Sequence, residues 1–379
     1  MFVCLAVAAT MIQNLMPDVD QARLRATVEK LSSFPTRNTL SSGLVDACEW
    51  TASELRKLPG VEVEIMRYPI AKGRRIPEDM EAVQVIATIP GETDRILLMG
   101  GHIDSLNLEV DAKTGRAPGA NDDASGVAAA MEVCRLMAGK KWRNTLKFVA
   151  FSGEEQGLYG SAALAKRAKD EGWDVIGVLN NDTVGSSSNL QGQSNDKQVR
   201  VFSEEGEDHD SRELARFIEW VVRSDVPSFG VKLVFRRDRF GRGGDHTPFV
   251  QQGISAVRFV EVHEEYARQH TPNDLIEHMD FDYLANVTRA NLAVFRVMAG
   301  GGASPTQIQV VRHEGHEARI RWDAEEGGQY QVFWRETSSP VWEGATDPMS
   351  ESEVILPISV DDMIFGVGAV GAVPTVQAG

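Results

Sequence analysis

The chain has 379 residues, 42% of them hydrophobic, 25% charged and 7% aromatic, the composition of a folded protein with more than one average domain of core. With 55 acidic against 39 basic side chains, the formal charge of -16 repels phosphate backbones and argues against nucleic acid as a partner. The cysteines Cys4, Cys48 and Cys134 are too few for a disulfide framework and do not suggest a thiolate metal cluster.

The first residues, MFVCLAVAATMIQNLM, carry an apolar stretch with no basic residue before it. That pattern fits either a trimmed signal sequence or the first turns of an amphipathic helix. No apolar run is long enough to span a bilayer. Two helical patterns follow, DVDQARLRATVEKLSSF and SSGLVDACEWTASELRKL, then strand-like VEVEIMRYPI and AVQVIATIPG. Short apolar strands then alternate with helices. ILLMGGHID precedes ASGVAAAMEVCRLMAG, KFVAFSGEE precedes GLYGSAALAKRAKD, and VIGVLNND and SAVRFVEV come before the closing helix FDYLANVTRANLAVFRVMA.

Such alternation predicts an α/β fold with a mainly parallel, mixed sheet and helices on both faces. Ligands of such sheets collect at the carboxyl ends of the strands. Four of these strands run into polar residues there: His102 to Asp104, Glu154 with Glu155, Asp182, and the segment after Glu261. Near residue 300 the pattern changes. Gly300, Gly301, Gly302, Ala303, Ser304 and Pro305 read as a linker, and TQIQVVRH, EARIRWDA, QYQVFWRE, SEVILPI and MIFGVGAV as the strands of a small antiparallel sandwich. The expected division is 1–300 and 304–379.

The polar segments suggest chemistry only in combination. In GGHIDS, His102 can ligate a metal while the carboxylate two residues on orients a neighbour. In PGANDDASG, Gly119 and Gly126 permit a tight turn before a helix. Asp123 suits the helix N-cap, and Asp122 is either a second capping residue or a carboxylate whose two oxygens hold two ions. In FSGEEQGLYGS, Glu154 and Glu155 are costly at the end of a buried strand unless one binds metal and its neighbour moves a proton. NND supplies Asp182 and QHTPND supplies His270. Two histidines and three acids, one of them shared, would give each of two zinc ions three nitrogen or oxygen ligands and leave room for water.

With these motifs in this order, residues 20–300 resemble the di-zinc aminopeptidases of clan MH, relatives of glutamate carboxypeptidase II, glutaminyl cyclase and the transferrin receptor ectodomain. The resemblance implies two Zn2+ ions, one on His102, Asp122 and Asp182, the other on Asp122, Glu155 and His270. It makes Glu154 the general base and Asp104 the buttress of His102, and it implies a cis peptide bond between Asp122 and Asp123. It also brings the Asp245–His246 pair of GRGGDHTPF near the site without making either a ligand, and leaves Tyr266 as a substrate contact or a packing residue. The tail resembles a fibronectin type III module, with Trp322 and Tyr330 as its buried aromatics and little chain left for a last strand.

The activity implied is removal of N-terminal residues from peptides. A carboxypeptidase or a cyclase is the alternative on the same scaffold, and the former needs a basic anchor for which Arg236, Arg237, Arg239 and Arg242 are the candidates. A non-catalytic binding module would have lost ligands or base, and here all are present. Analogy with the same relatives suggests a secreted or periplasmic protein.

Overall fold

A computed structural model describes residues 18–377, apart from 110, 112, 205 and 207–209. The apolar N-terminal stretch and Cys4 lie outside the described residues. Among those described, Cys48 and Cys134 are buried free thiols, and no helix is long and apolar enough to cross a membrane.

The large sheet has eight strands: β1 (Glu62–Ile70), β2 (Met80–Ile89), β3 (Thr93–His102), β4 (Asn144–Phe151), β5 (Asp174–Asn181), β6 (Gln198–Phe202), β7 (Gly230–Val234) and β8 (Ala256–Glu261). Their spatial order is β1-β2-β4-β3-β5-β8-β6-β7. The centre, β4-β3-β5-β8, is parallel throughout, and antiparallel pairings flank it at β2-β4 and β8-β6.

Successive side chains of a strand point to opposite faces, so an apolar run buried on both sides packs against two helical layers. Leu97 and Met99 of β3 face one layer, with the helices Gln21–Ser33, Ser42–Leu55, Ala124–Met137, Ser211–Asp225 and Phe281–Ala299; Leu98 joins the other face, with Leu164 and Phe249 of the helices Tyr159–Asp170 and His246–Gln251. This is the mixed, mainly parallel sheet expected.

Two strands and three α-helices of the large domain go beyond the expected set, one of the helices being the single turn Glu154–Gly157. β6 and β7 have only five residues each and lie at the far edge, where β7 is half-buried and its apolar signal is diluted. The helix His246–Gln251 is short. The helix Ser211–Asp225 did carry a signal, since Leu214, Phe217, Ile218, Val221 and Val222 recur at helical spacing and are all buried.

The tail forms a three-stranded sheet of β9 (Ile308–Arg312), β10 (Glu317–Trp322) and β13 (Glu353–Ser359). A second sheet holds β11 (Tyr330–Glu336), β12 (Gly344–Ala345), β14 (Met363–Ala369) and β15 (Thr375–Val376). All pairings are antiparallel, and the last strand is indeed two residues long. Trp322 and Tyr330 are buried with ring centroids 6.0 Å apart, packed with Ile320, Val332, Phe365 and Val367.

Alternation along β11 gives the tail a second apolar face. Tyr330 and Val332 point into the sandwich, while Phe333 points back to the large domain and belongs to its core, together with the fully buried Trp342. Phe333 stacks edge-on against Trp220 of the helix Ser211–Asp225 at 5.6 Å. Gly366 leaves room for the Trp342 ring, which a Cβ there would meet at 3.0 Å. The glycine-rich segment between the two parts is also tied down. Arg95 Nη1 donates to the Gly302 carbonyl at 2.6 Å, and Asn144 Nδ2 to Gly301 at 3.0 Å.

Candidate active site

Because β3, β4, β5 and β8 run parallel, their carboxyl ends share one edge of the sheet. His102 is the last residue of β3 and pairs with Phe151 of β4, after which Ser152 and Gly153 lead to Glu154 and Glu155. Asp182 follows β5. Asp122 precedes the helix Ala124–Met137, and His270 lies in the irregular segment after β8.

The side chains converge on Asp122. His102 Nε2 stands 3.1 Å from Asp122 Oδ1 and 3.8 Å from Asp182 Oδ1. His270 Nε2 stands 3.2 Å from Asp122 Oδ2 and 3.1 Å from Glu155 Oε2. Each oxygen of Asp122 therefore faces a different histidine. The donor atoms of His102, Asp122 and Asp182 lie within 4.8 Å of one another, and so do those of Asp122, Glu155 and His270. Glu155 Oε1 is buried with no hydrogen-bond partner. Imidazole nitrogens among more carboxylates than they can neutralise, with one carboxylate oxygen orphaned, form a donor set that fits divalent cations with nitrogen and oxygen preference.

The fields are strong. Burial opposes protonation of His270, but the carboxylates of Asp122 and Glu155 outweigh it and push its pKa up to about 11. His102 is likewise raised, against its burial, by Asp122 and Asp182. Glu154 is half-buried; desolvation, reinforced by Asp182, Glu155 and Asp245, raises its pKa well above the usual carboxylate range. Added cations would lower it again.

Backbone geometry sets these positions. Among the described residues, Leu158, Thr183 and His270 are the non-glycine residues with positive φ, at 62°, 56° and 58°. One is a member of the cluster and one follows Asp182, the kind of placement at which sparsely populated backbone conformations gather. The Asp122–Asp123 peptide bond is cis. Asp123 caps the helix through Gly126 N at 2.9 Å, and does more than cap. The same carboxylate accepts from His102 N at 2.9 Å and Thr183 N at 3.1 Å, joining the ends of β3 and β5.

Asp104 departs from its expected role. His102 Nδ1 lies 3.1 Å from the Asp104 carbonyl oxygen and 3.7 Å from its carboxylate, so the backbone supports the ring. The carboxylate turns instead to the start of the helix Glu154–Gly157, accepting from Glu154 N at 3.3 Å and Glu155 N at 3.1 Å. An anion at exposed helical N–H groups is favoured there.

Asp245 and His246 are both buried nearby. His246 Nε2 faces the Arg237 carbonyl at 2.7 Å, and burial pushes Asp245 up to about 7. Tyr266 is 56% exposed, and its hydroxyl donates to Glu264 at 3.1 Å.

Three supporting residues were not anticipated. Arg258, in the middle of β8, is buried and places Nη2 2.8 Å from Asp182 Oδ2. Asp274 accepts from Asn121 N at 3.0 Å and Asp122 N at 2.9 Å, tying the His270 segment to the Asp122 loop. Arg37 is fully buried and donates to the carbonyls of Ile103, Pro118 and Gly119, bracing the same loops. A charged residue inside the apolar run SAVRFVEV was the legible signal for Arg258; Arg37 and Asp274 offered none beyond their residue type.

The model of peptidase family M28 matches residues 84–295, more than half of the chain. The chain belongs to peptidase family M28. A probable zinc metalloprotease of Leptosphaeria maculans is 37% identical over 95% of this chain and 94% of its own length. Among solved structures, the LapA aminopeptidase of Legionella pneumophila superposes with a TM-score of 0.58 at 20% identity, covering 73% of this chain and 70% of that one. A Bacteroides thetaiotaomicron glutaminyl cyclase gives 0.59 at 17%, covering 73% and 98%. At these identities the likeness is one of fold. This M28 peptidase has its polar cluster within the matched region, and its β tail outside it.

Proposed function

We propose that this peptidase is a zinc-dependent aminopeptidase that holds two Zn2+ ions, one on His102, Asp122 and Asp182 and one on Asp122, Glu155 and His270. The observation that carries this reading is Asp122, whose two oxygens each face a different histidine within a three-residue donor group. Zinc rather than another divalent ion is supported by the donor types and by the zinc metalloprotease relatives. Bound ions would polarise the scissile carbonyl and make a water acidic enough to attack near neutral pH.

The protein's own residues do the rest. Glu154 accepts the proton of the attacking water on its carboxylate and delivers it to the departing amine. Its backbone N–H, held by Asp104, keeps it at the mouth of the cluster. Asp123 and Asp274 fix the backbone on either side of Asp122 so that neither oxygen needs to reorient.

Two of the four arginines that could anchor a substrate carboxylate are already engaged, Arg237 with Glu204 and Arg239 with Asp238 and Glu264, which leaves the exposed Arg236 and Arg242 as the anchors a carboxypeptidase would have to use. We also propose that the protein is secreted or periplasmic, on the strength of its apolar N-terminal stretch; fractionation of the producing cells tests this.

Hydrolysis of aminoacyl-anilides that stops with a chelator and returns with zinc tests the activity. Glu154→Gln is expected to lower turnover about 10²- to 10⁴-fold at unchanged metal content. Near-full turnover in that variant would remove Glu154 from the mechanism. Release of residues from the carboxyl end, or cyclisation of N-terminal glutamine without hydrolysis, would replace the aminopeptidase reading.

A further inference from the structure

The two donor groups around Asp122 are not chemically equivalent. In one, Glu155 Oε2 faces His270 while Oε1 is buried without a partner, so both oxygens remain available. In the other, Asp182 Oδ1 faces His102 while Oδ2 is 2.8 Å from Arg258 Nη2. Arg258 is 1% exposed, and its Nη1 is held 2.5 Å from Asp238 Oδ2 and 3.3 Å from the Gly243 carbonyl. Asp238 in turn accepts from Arg239, and Arg239 and Arg200 both pair with Glu264. The guanidinium is thus the end of a buried ladder of alternating charge, clamped from behind. It has no freedom to swing away when a cation arrives.

We propose that Arg258 is a positioning residue of the metal centre that takes one oxygen of Asp182 for itself. The cation of the His102–Asp122–Asp182 group is thereby limited to a single Asp182 oxygen and held more loosely than it would be without the guanidinium.

The proposal rests on the two-metal reading above. Its physical basis is direct. A carboxylate that already donates electron density to a guanidinium is a poorer ligand, and a fixed positive charge one carboxylate away repels a divalent cation in a site from which water is largely excluded. The bidentate option is closed by geometry, because a planar guanidinium held on two sides matches carboxylate oxygens at fixed directions. The Glu155–His270 group has no such competitor on its free oxygen. The result is one firm position and one exchangeable position, sharing a bridging residue, and occupancy of the exchangeable position would follow the ambient zinc concentration.

The test is a zinc titration of the metal-free full-length protein by calorimetry, read as two separate affinities. His102→Ala identifies which of the two belongs to the Asp182 group. In Arg258→Met/Asp238→Asn, which removes the guanidinium together with the charge it neutralises, the affinity of that group is expected to rise about tenfold while the other moves little, the usual scale for changes just outside a metal's ligands. Arg258→Lys, which keeps the charge, is expected to retain most of the wild-type difference; a merely structural role would not produce this rescue pattern. The single variant Arg258→Met, if it folds, should show the same tightening with lower thermal stability. An unchanged affinity, or an equal loss at both groups, overturns the role of Arg258 and leaves the two-metal reading standing. Failure of the wild-type protein to take up two zinc ions overturns the two-metal reading itself.

Discussion

His102 and His270 stand on opposite sides of Asp122 and are held there by different means. His102 ends a central parallel strand, is 1% exposed, and has its amide fixed by Asp123 and its ring backed by the Asp104 carbonyl. His270 lies in an irregular segment with a φ of 58°, keeps 21% of its side chain exposed, and relies on neighbours such as Leu108, whose amide donates to its carbonyl, and Asp274. Sheet formation places the first half of the site; local ties between loops place the second. The strand-built half has its geometry set by register and the loop-built half by a few hydrogen bonds, so the two should fail differently.

The largest effect is expected at Asp123. Asp123→Ala leaves the amides of His102, Gly126 and Thr183 without their acceptor, at about 1–3 kcal/mol for each buried group left unpaired. Thermal melting should show a marked loss of stability. Zinc affinity at the His102 group should fall about 10- to 100-fold, with a smaller change at the His270 group. An equal change at both would dissolve the distinction between the halves.

Asp274→Ala should do less to stability and act on both affinities together, since it frees the amide of the shared Asp122. A decrease of roughly tenfold at each, with Asp274→Asn recovering part of it, is the expected pattern. A change confined to the His270 group would mean that Asp274 serves its own segment alone.

The smallest signal is the proton count. With its pKa raised to about 11, His270 is protonated in the metal-free protein at pH 8, and His102 is raised as well. Ligation requires the neutral ring, so zinc uptake at that pH must release protons. Affinity must therefore rise with pH, by about tenfold per unit for each proton released. Calorimetry in buffers of different ionisation enthalpy counts them; no release would mean that the imidazoles are already neutral.

The halves also differ in how far the sequence discloses them. His102, Glu154, Glu155 and Asp182 stand out because each follows an apolar strand directly, a juxtaposition that solubility does not explain. His270 sits among polar residues and gains meaning only from the order of the other motifs. Asp123 is legible as a helix cap, because capping is local, whereas its bonds to His102 and Thr183 depend on where β3 and β5 end in space. The same limit explains Asp104, whose carboxylate serves a turn fifty residues on, and Arg258, whose burial is visible in the pattern although its partner is not. In the fold, the central strands declare themselves by uninterrupted apolar runs. β6 and β7 have five residues each and β7 is half-covered, so the pair carries little of that signal.

The tail is fastened to the large domain by more than the covalent chain. Phe333 and Trp342 lie in the core of the large domain, and Gly301, Gly302 and Ser304 are hydrogen-bonded in place. Cleavage anywhere in the glycine-rich segment would therefore divide the polypeptide without parting the molecule. The two fragments would migrate as one under native conditions and as two only after denaturation.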